Sequence, residues 1–237
     1  MALSGIYDAF KHWDNQTTWI YSDPHFSDKD LEKSIINRPS DEQQIANINA
    51  CAGRKDTLIC LGDVGNIECV RRLRAARKIL IMGNHDSGAT NYKREIVSEV
   101  YETDKYTQEE VRQLCHIKYP GWNVKIILGL AGWVVQADNY LFDEVYEGAL
   151  IIGEKLILSH EPVDIPWLFN IHGHDHSGKS KKGHLNVCSD MIGYKPVNLN
   201  QFLKSGALAN IQTIHRETID NATKRKAKRG GKKIGSR

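Results

Sequence analysis

Five short apolar runs, each closing on residues that can bind a metal, constrain this chain more than any other feature. The runs are Thr18 to Tyr21, Thr57 to Leu61, Ile79 to Met82, Leu156 to Leu158 and Trp167 to Ile171. Each has the length of a strand, and runs that are apolar throughout predict strands buried on both faces. Helix signals fall between them. Ser40 to Gln43 has capping-box form ahead of Ile45, Ile48 and Cys51, and Asn66 is placed to cap a helix with Ile67, Val70 and Leu73 on one face. Strand alternating with helix predicts an α/β architecture.

The residues directly after each run point to chemistry. The first run leads into Ser22-Asp23-Pro24-His25, the second into Gly62-Asp63, and the third into Gly83-Asn84-His85-Asp86. The fourth leads into Ser159-His160-Glu161-Pro162 and the fifth into His172-Gly173-His174-Asp175-His176. Five strands would therefore deliver ligand-type side chains to one carboxyl edge, where sites form in open α/β sheets. Asp23 and His25 are two residues apart, as are His174 and His176, so an extended backbone would point each pair to one side. Gly62, Gly83 and Gly173 precede ligand candidates and allow sharp turns there. His172 is open to two readings, support of the ligands or core packing; His184 is expected on an exposed turn, and Asp175 is expected to point away from the ligands.

The order Asp-x-His, Gly-Asp, Gly-Asn-His-Asp, a later His and Gly-His-x-His resembles the signature of the calcineurin-like metallophosphoesterase superfamily, over about Thr18 to Val197. Asn37-Arg38-Pro39 and Leu158 to Pro162 look like its compact bacterial and phage single-domain members. The resemblance implies a two-sheet β-sandwich flanked by helices, with a dinuclear metal centre at the strand ends. It implies one metal on Asp23, His25 and His176, a second on Asn84, His160 and His174, and Asp63 bridging them. His85 would act as acid or electrostatic stabiliser, with Asp86 orienting its ring. The implied reaction is hydrolysis of phosphomonoesters or phosphodiesters by in-line attack of a metal-bridging hydroxide. Mixed oxygen and imidazole ligands suit Mn, Fe, Zn, Co or Ni better than Mg or Ca, and geometry alone does not choose among them; Mn is the metal expected first. Arg38 is expected either to grip a phosphate or to form a salt bridge at a helix start.

Departures narrow the substrate. Protein Ser/Thr phosphatases of this superfamily carry Gly-Asp-x-x-Asp-Arg and Gly-Asn-His-Glu, whereas Asn66 and Ile67 come after Gly62-Asp63 here and Asp86 ends the second motif. Small phosphate esters and nucleotides remain as substrates. The alternatives are a catalytically idle metal-binding scaffold, or a nuclease tethered to nucleic acid by a basic tail. That tail holds eight Lys and Arg after Thr223 and no acids, so the chain's net +3 splits into a +8 tail and a body near −5.

The domain organisation is expected to be one domain over 1–223, carrying an insertion or cap at 104–139, followed by a disordered basic tail at 224–237. Within the insertion, Thr107 to Glu110 should open a helix, and Val145 to Ile152 with Lys155 to Ser159 should form a hairpin around Gly153-Glu154. No apolar run reaches the roughly 18 residues of a membrane span, and the N-terminus shows no leader pattern. Five cysteines without a Cys-x-x-Cys pair read as reduced core thiols. Together these predict a cytoplasmic protein with no membrane partner.

Overall fold

The structure is a computed structural model, and it describes residues 17–86, 92, 95–139, 141–212 and 218–225. Among these residues the fold is mixed α/β, with three sheets and six helices. The chain divides into two compact units, one formed by Met1–Ser87 with Tyr146–Arg237, the other by Gly88–Val145.

In the first unit, β1 (Thr18–Tyr21), β2 (Thr57–Cys60) and β3 (Arg77–Ile81) run parallel at the centre of a five-stranded sheet. Its order is β12 (Val197–Asn198), β1, β2, β3, β7 (Glu144–Tyr146). Parallel neighbours need crossover connections. These are α1 (Lys29–Ser34) and α2 (Asp41–Cys51) between β1 and β2, and α3 (Ile67–Arg71) between β2 and β3. The expected caps hold: Ser40 accepts from the Gln43 amide and Asn66 from the Glu68 amide.

A second sheet has the order β11 (His184–Asn186), β10 (Phe169–His172), β9 (Leu156–Leu158), β8 (Leu150–Ile152). Its β9 and β10 are parallel, while β8 and β9 form the expected antiparallel hairpin, whose first arm is Leu150–Ile152 and not the whole of Val145 to Ile152. Ile20, Ile59, Ile79 and Ile81 from the first sheet pack with Leu156, Leu158, Phe169 and Ile171 from the second in one core, closed by Leu199 of α5 (Leu199–Lys204). The sheets also meet at their strand ends, where the Ser22 amide donates to the Val187 carbonyl and the Ser189 amide to the Ser22 carbonyl, both at 2.9 Å. The carboxyl end of β1 is thereby stitched to the chain leaving β11.

The second unit begins and ends outside the expected 104–139 segment, because β4 (Glu95–Tyr101) pairs along its whole length with β6 (Gly132–Asn139). β5 (Asn123–Gly129) completes an antiparallel sheet of order β4, β6, β5. α4 (Gln108–Lys118) opens on a full capping box between Thr107 and Glu110 and lays Val111 and Cys115 against Val135 and Ala137. Trp122 and Trp133 pack on this core. The segment is thus a small body with an interior of its own.

Residues 218–225 form the sixth helix, α6. Lys224 and Arg225 therefore continue a helix where a disordered tail was expected to start; the rest of the basic segment lies outside the described residues. All five cysteines are free, and four are buried. Among the described residues no helix is long and apolar enough to cross a membrane.

Candidate metal centre

All seven predicted ligands lie just beyond the carboxyl ends of parallel strands: Asp23 and His25 after β1, Asp63 after β2, Asn84 after β3, His160 after β9, His174 and His176 after β10. The local backbone differs from the expected extended form. Asp23, His25, Asp63 and His174 all have positive φ, between 41° and 65°. Side chains with a Cβ seldom take this conformation, which costs energy that surrounding structure must hold in place. The period-two argument for Asp23 and His25 therefore fails; turns, not strand pleating, bring the pair to one side.

Two groups of donor atoms result. In the first, Asp23 Oδ1 lies 4.0 Å from His25 Nε2 and 3.8 Å from His176 Nε2. In the second, His160 Nε2 lies 2.9 Å from Asn84 Oδ1 and 3.1 Å from His174 Nδ1. Asp63 Oδ2 stands between the groups, 3.5 Å from His25 Nε2 and 3.3 Å from His160 Nε2. The other Asp63 oxygen accepts the His85 amide at 2.9 Å.

Whether a metal fits can be judged from atoms left over. Asp23 Oδ1 and His25 Nε2 are buried and have no hydrogen-bond partner. Such atoms are rare because desolvation is costly, and an ion removes the cost. Donors about 3.5–4 Å apart are too distant to bond each other but suit two ligands of one ion lying about 2 Å from each. The Asp23, His25 and His176 group fits a divalent cation on these grounds, and Asp63, His160 and His174 form a second cluster whose donor atoms could hold one.

Electrostatics agree. Burial alone would raise the Asp63 carboxyl, but the His160 and His25 imidazoles beside it and the hydrogen bond from the His85 amide hold it well below the usual carboxylate range. Burial would lower the His160 imidazole, yet the Asp63 carboxylate, with the Asp23 charge and the Leu61 carbonyl, pushes it up to about 8. His160 Nδ1 faces that carbonyl at 2.6 Å, so Nδ1 carries a proton and Nε2 is the atom turned toward Asn84 and Asp63.

Glycine is required here chiefly for space. A Cβ on Gly173 would stand 2.0 Å from Ser22 Oγ and 2.2 Å from Asp23 Oδ2, and one on Gly83 2.2 Å from Asp63 Oδ1. At Gly83 and Gly173 the need is close approach rather than an unusual turn.

Several predicted roles change. Asp86 does not orient the His85 ring: it is 1% exposed, and its carboxylate accepts the amides of Asp63, Val64 and Gly83. It shapes the loops that carry Asp63 and Asn84. His85 itself is exposed, its ring 5.4 Å from that of His25. Arg38 is not free to grip a phosphate. Its side chain is 1% exposed, with Nη1 on both oxygens of Asp190 at 2.9 Å and Nη2 on the Pro24 carbonyl at 2.7 Å. His184 is 6% exposed rather than on an open turn, because its Nε2 meets Asp164 at 2.6 Å and its ring packs edge-on against His172. That pairing gives His172 the packed role. Asp175 turns away as expected, accepting from Ser177 and Gly178.

Sequence reasoning missed Asp190, Tyr194 and Cys188. Asp190 Oδ2 accepts from His176 Nδ1 at 2.5 Å, Tyr194 donates its hydroxyl to Oδ1, and Cys188 Sγ lies 3.5 Å from His176 Nδ1. The hydrogen bond to Asp190 raises the His176 pKa, whereas burial pushes the Cys188 thiol far up, keeping it a neutral packing group. A signal was present: Leu185 to Cys188 followed by Ser189-Asp190 repeats the pattern of a short run closing on polar residues.

No family model matches the chain, and no curated protein does. Among solved structures, a protein of unknown function from Aquifex aeolicus is similar at a TM-score of 0.49 and 20% identity, over 79% of this chain and 98% of that one.

Proposed function

We propose that this protein is a dinuclear-metal-dependent phosphoesterase of the calcineurin-like metallophosphoesterase type, its two sheets with a common core being the sandwich of that fold. The observation that carries the reading is the position of Asp63 between two groups of donors, within 3.5 Å of a histidine from each. One ion would be held by Asp23, His25 and His176, the other by Asn84, His160 and His174, with Asp63 common to both. When bound, two divalent ions, Mn foremost, would bring +4 against the two carboxylates, lower the pKa of water and neutralise phosphoryl oxygens.

The chain's own groups do the rest. The Leu61 carbonyl keeps the proton of His160 on Nδ1, and Asp190 keeps that of His176 on its Nδ1, so both imidazoles present Nε2 to the centre. Exposed His85 sits beside His25 at the mouth of the site, where it can hand a proton to the leaving oxygen of a phosphate ester. With Arg38 buried in its own pairing, no guanidinium at that position grips the substrate, which favours small esters or nucleotides bound through the metals.

The test is a panel of phosphomonoesters and phosphodiesters assayed with added Mn2+, Ni2+, Co2+ or Zn2+, beside Asp63→Asn. Metal-dependent hydrolysis is expected, falling at least about 100-fold in Asp63→Asn. Two bound metals with hydrolysis no greater than in that variant would rule out the enzyme.

A further inference from the structure

Three ligands of the first group come from two strand ends, Asp23 and His25 from β1 and His176 from β10. Something must hold these ends in register. One guanidinium touches both. Arg38 Nη2 donates to the carbonyl of Pro24, the residue between Asp23 and His25, at 2.7 Å. Its Nη1 donates at 2.9 Å to the Asp190 carboxylate, which in turn accepts His176 Nδ1–H at 2.5 Å. Both side chains are buried, 1% exposed for Arg38 and 5% for Asp190. The Tyr194 hydroxyl donates to the same carboxylate, and the Tyr194 ring lies 5.6 Å from the guanidinium carbon.

We propose that Arg38 and Asp190 form a positioning pair that sets the metal affinity of the Asp23, His25 and His176 group and leaves the other group alone. The inference rests on the two-metal reading above. Asp190 fixes the tautomer and ring plane of His176, which points Nε2 at Asp23; carboxylates behind ligating histidines commonly act so. Arg38 links that carboxylate to the backbone of the β1 ligands through a rigid planar fork. A lysine would keep the charge but lacks the second arm. The second group meets Asp23 through the His174 amide at 2.8 Å but has no contact with Arg38 or Asp190 among its supports: His160 is aimed by the Leu61 carbonyl, and Asp63 and Asn84 sit on loops held by Asp86.

The test uses the full chain titrated calorimetrically with Mn2+. The wild type should take up two ions, and His176→Ala and Asn84→Ala should each weaken a different one, labelling the two constants. Asp190→Asn is expected to weaken by about 10–100-fold the constant that His176→Ala labels, leaving the other unchanged. Arg38→Met should do the same and Arg38→Lys should restore part of the loss. At Mn2+ levels that just fill the wild type, the paramagnetic resonance spectrum of Asp190→Asn should lose its coupled-pair signal. Equal weakening of both constants, or none in a chain whose circular dichroism matches wild type, overturns the pair's role while the two-metal reading stands. A wild type that takes up no Mn2+ overturns both. Where Asp190→Asn does not fold, Tyr194→Phe decides: a loss of about two- to fivefold in the same constant is expected, and no loss overturns the proposal.

Discussion

The two donor groups of the centre are similar in composition but are held by different means. In the Asn84, His160 and His174 group the donors stand 2.9–3.1 Å apart and the supports engage the main chain: the Leu61 carbonyl behind His160 and the amides that the Asp86 carboxylate gathers. In the Asp23, His25 and His176 group the donors spread to 3.8–4.0 Å from Asp23 Oδ1, two buried atoms go unpartnered, and the supports are side chains. Asp28 meets His25 Nδ1 at 3.4 Å, and Asp190 meets His176. Main-chain contacts come with the fold itself and hang here on one carboxylate, Asp86, whereas the side-chain network around the first group can be changed at several residues. The second group therefore depends on the fold and on Asp86, and the first on several exchangeable side chains.

That contrast breaks most sharply at Asp86. Asp86→Ala would leave three buried amides without their acceptor, and a loss of about 3–5 kcal/mol in urea unfolding is expected. Both groups should lose metal with it, because Asp86 holds the loop of the common ligand Asp63, and the Asn84 group the more, because Asp86 also holds the Gly83 amide. A milder break is steric. Gly173→Ala drives a methyl against Ser22 and Asp23, so a cost of about 1–3 kcal/mol and a selective loss of metal at the Asp23 group are expected, read by thermal unfolding and Mn2+ titration. Gly83→Ala, pressing on the common ligand Asp63, should weaken both groups. If Gly173→Ala weakened both equally, the two halves would not be independent.

A control lies outside both halves. Hydrogen bonds from Lys181 and His184 hold the exposed Asp164 carboxyl below its ordinary value. A carboxylate depressed in the folded state contributes stability above the unfolded pKa of about 4, lost as pH falls through the folded value. Asp164→Asn should therefore lower the melting temperature slightly at pH 6, with the difference from wild type vanishing in strong acid, and should leave Mn2+ uptake unchanged.

Much of the fold and of the centre was legible from residue order. The strand-length runs at Thr18, Thr57, Leu156 and Phe169, the caps at Ser40, Asn66 and Thr107, and the hairpin around Gly153 depend on local periodicity and capping chemistry, which need no knowledge of distant residues. That the seven ligand candidates would gather at one edge was legible for the same reason, since each lies just after a run. Three readings went wrong because each depended on a remote partner. His184 looks exposed beside Lys181-Lys182-Gly183 until the strand it opens places it against His172. Asp86 looks like a partner for adjacent His85 until the β2 loop presents the amides of Asp63 and Val64 to it. The boundaries of the second unit were too narrow because β4 bears no mark of pairing with a strand about 30 residues later.

The order of the ligand candidates, and the strands that end at them, come from the chain read alone, because strand length, capping and ligand chemistry are written in residues close to one another. Which donor faces which was decided by tertiary structure. Arg38 and Asp190 are 152 positions apart, and His160 and Leu61 are 99 apart. Their contacts depend on sheet order, on the Ser22 bonds that stitch the two sheets, and on four residues held at positive φ. Local periodicity carries none of that information, because side chains meet across strands according to register and not according to distance along the chain.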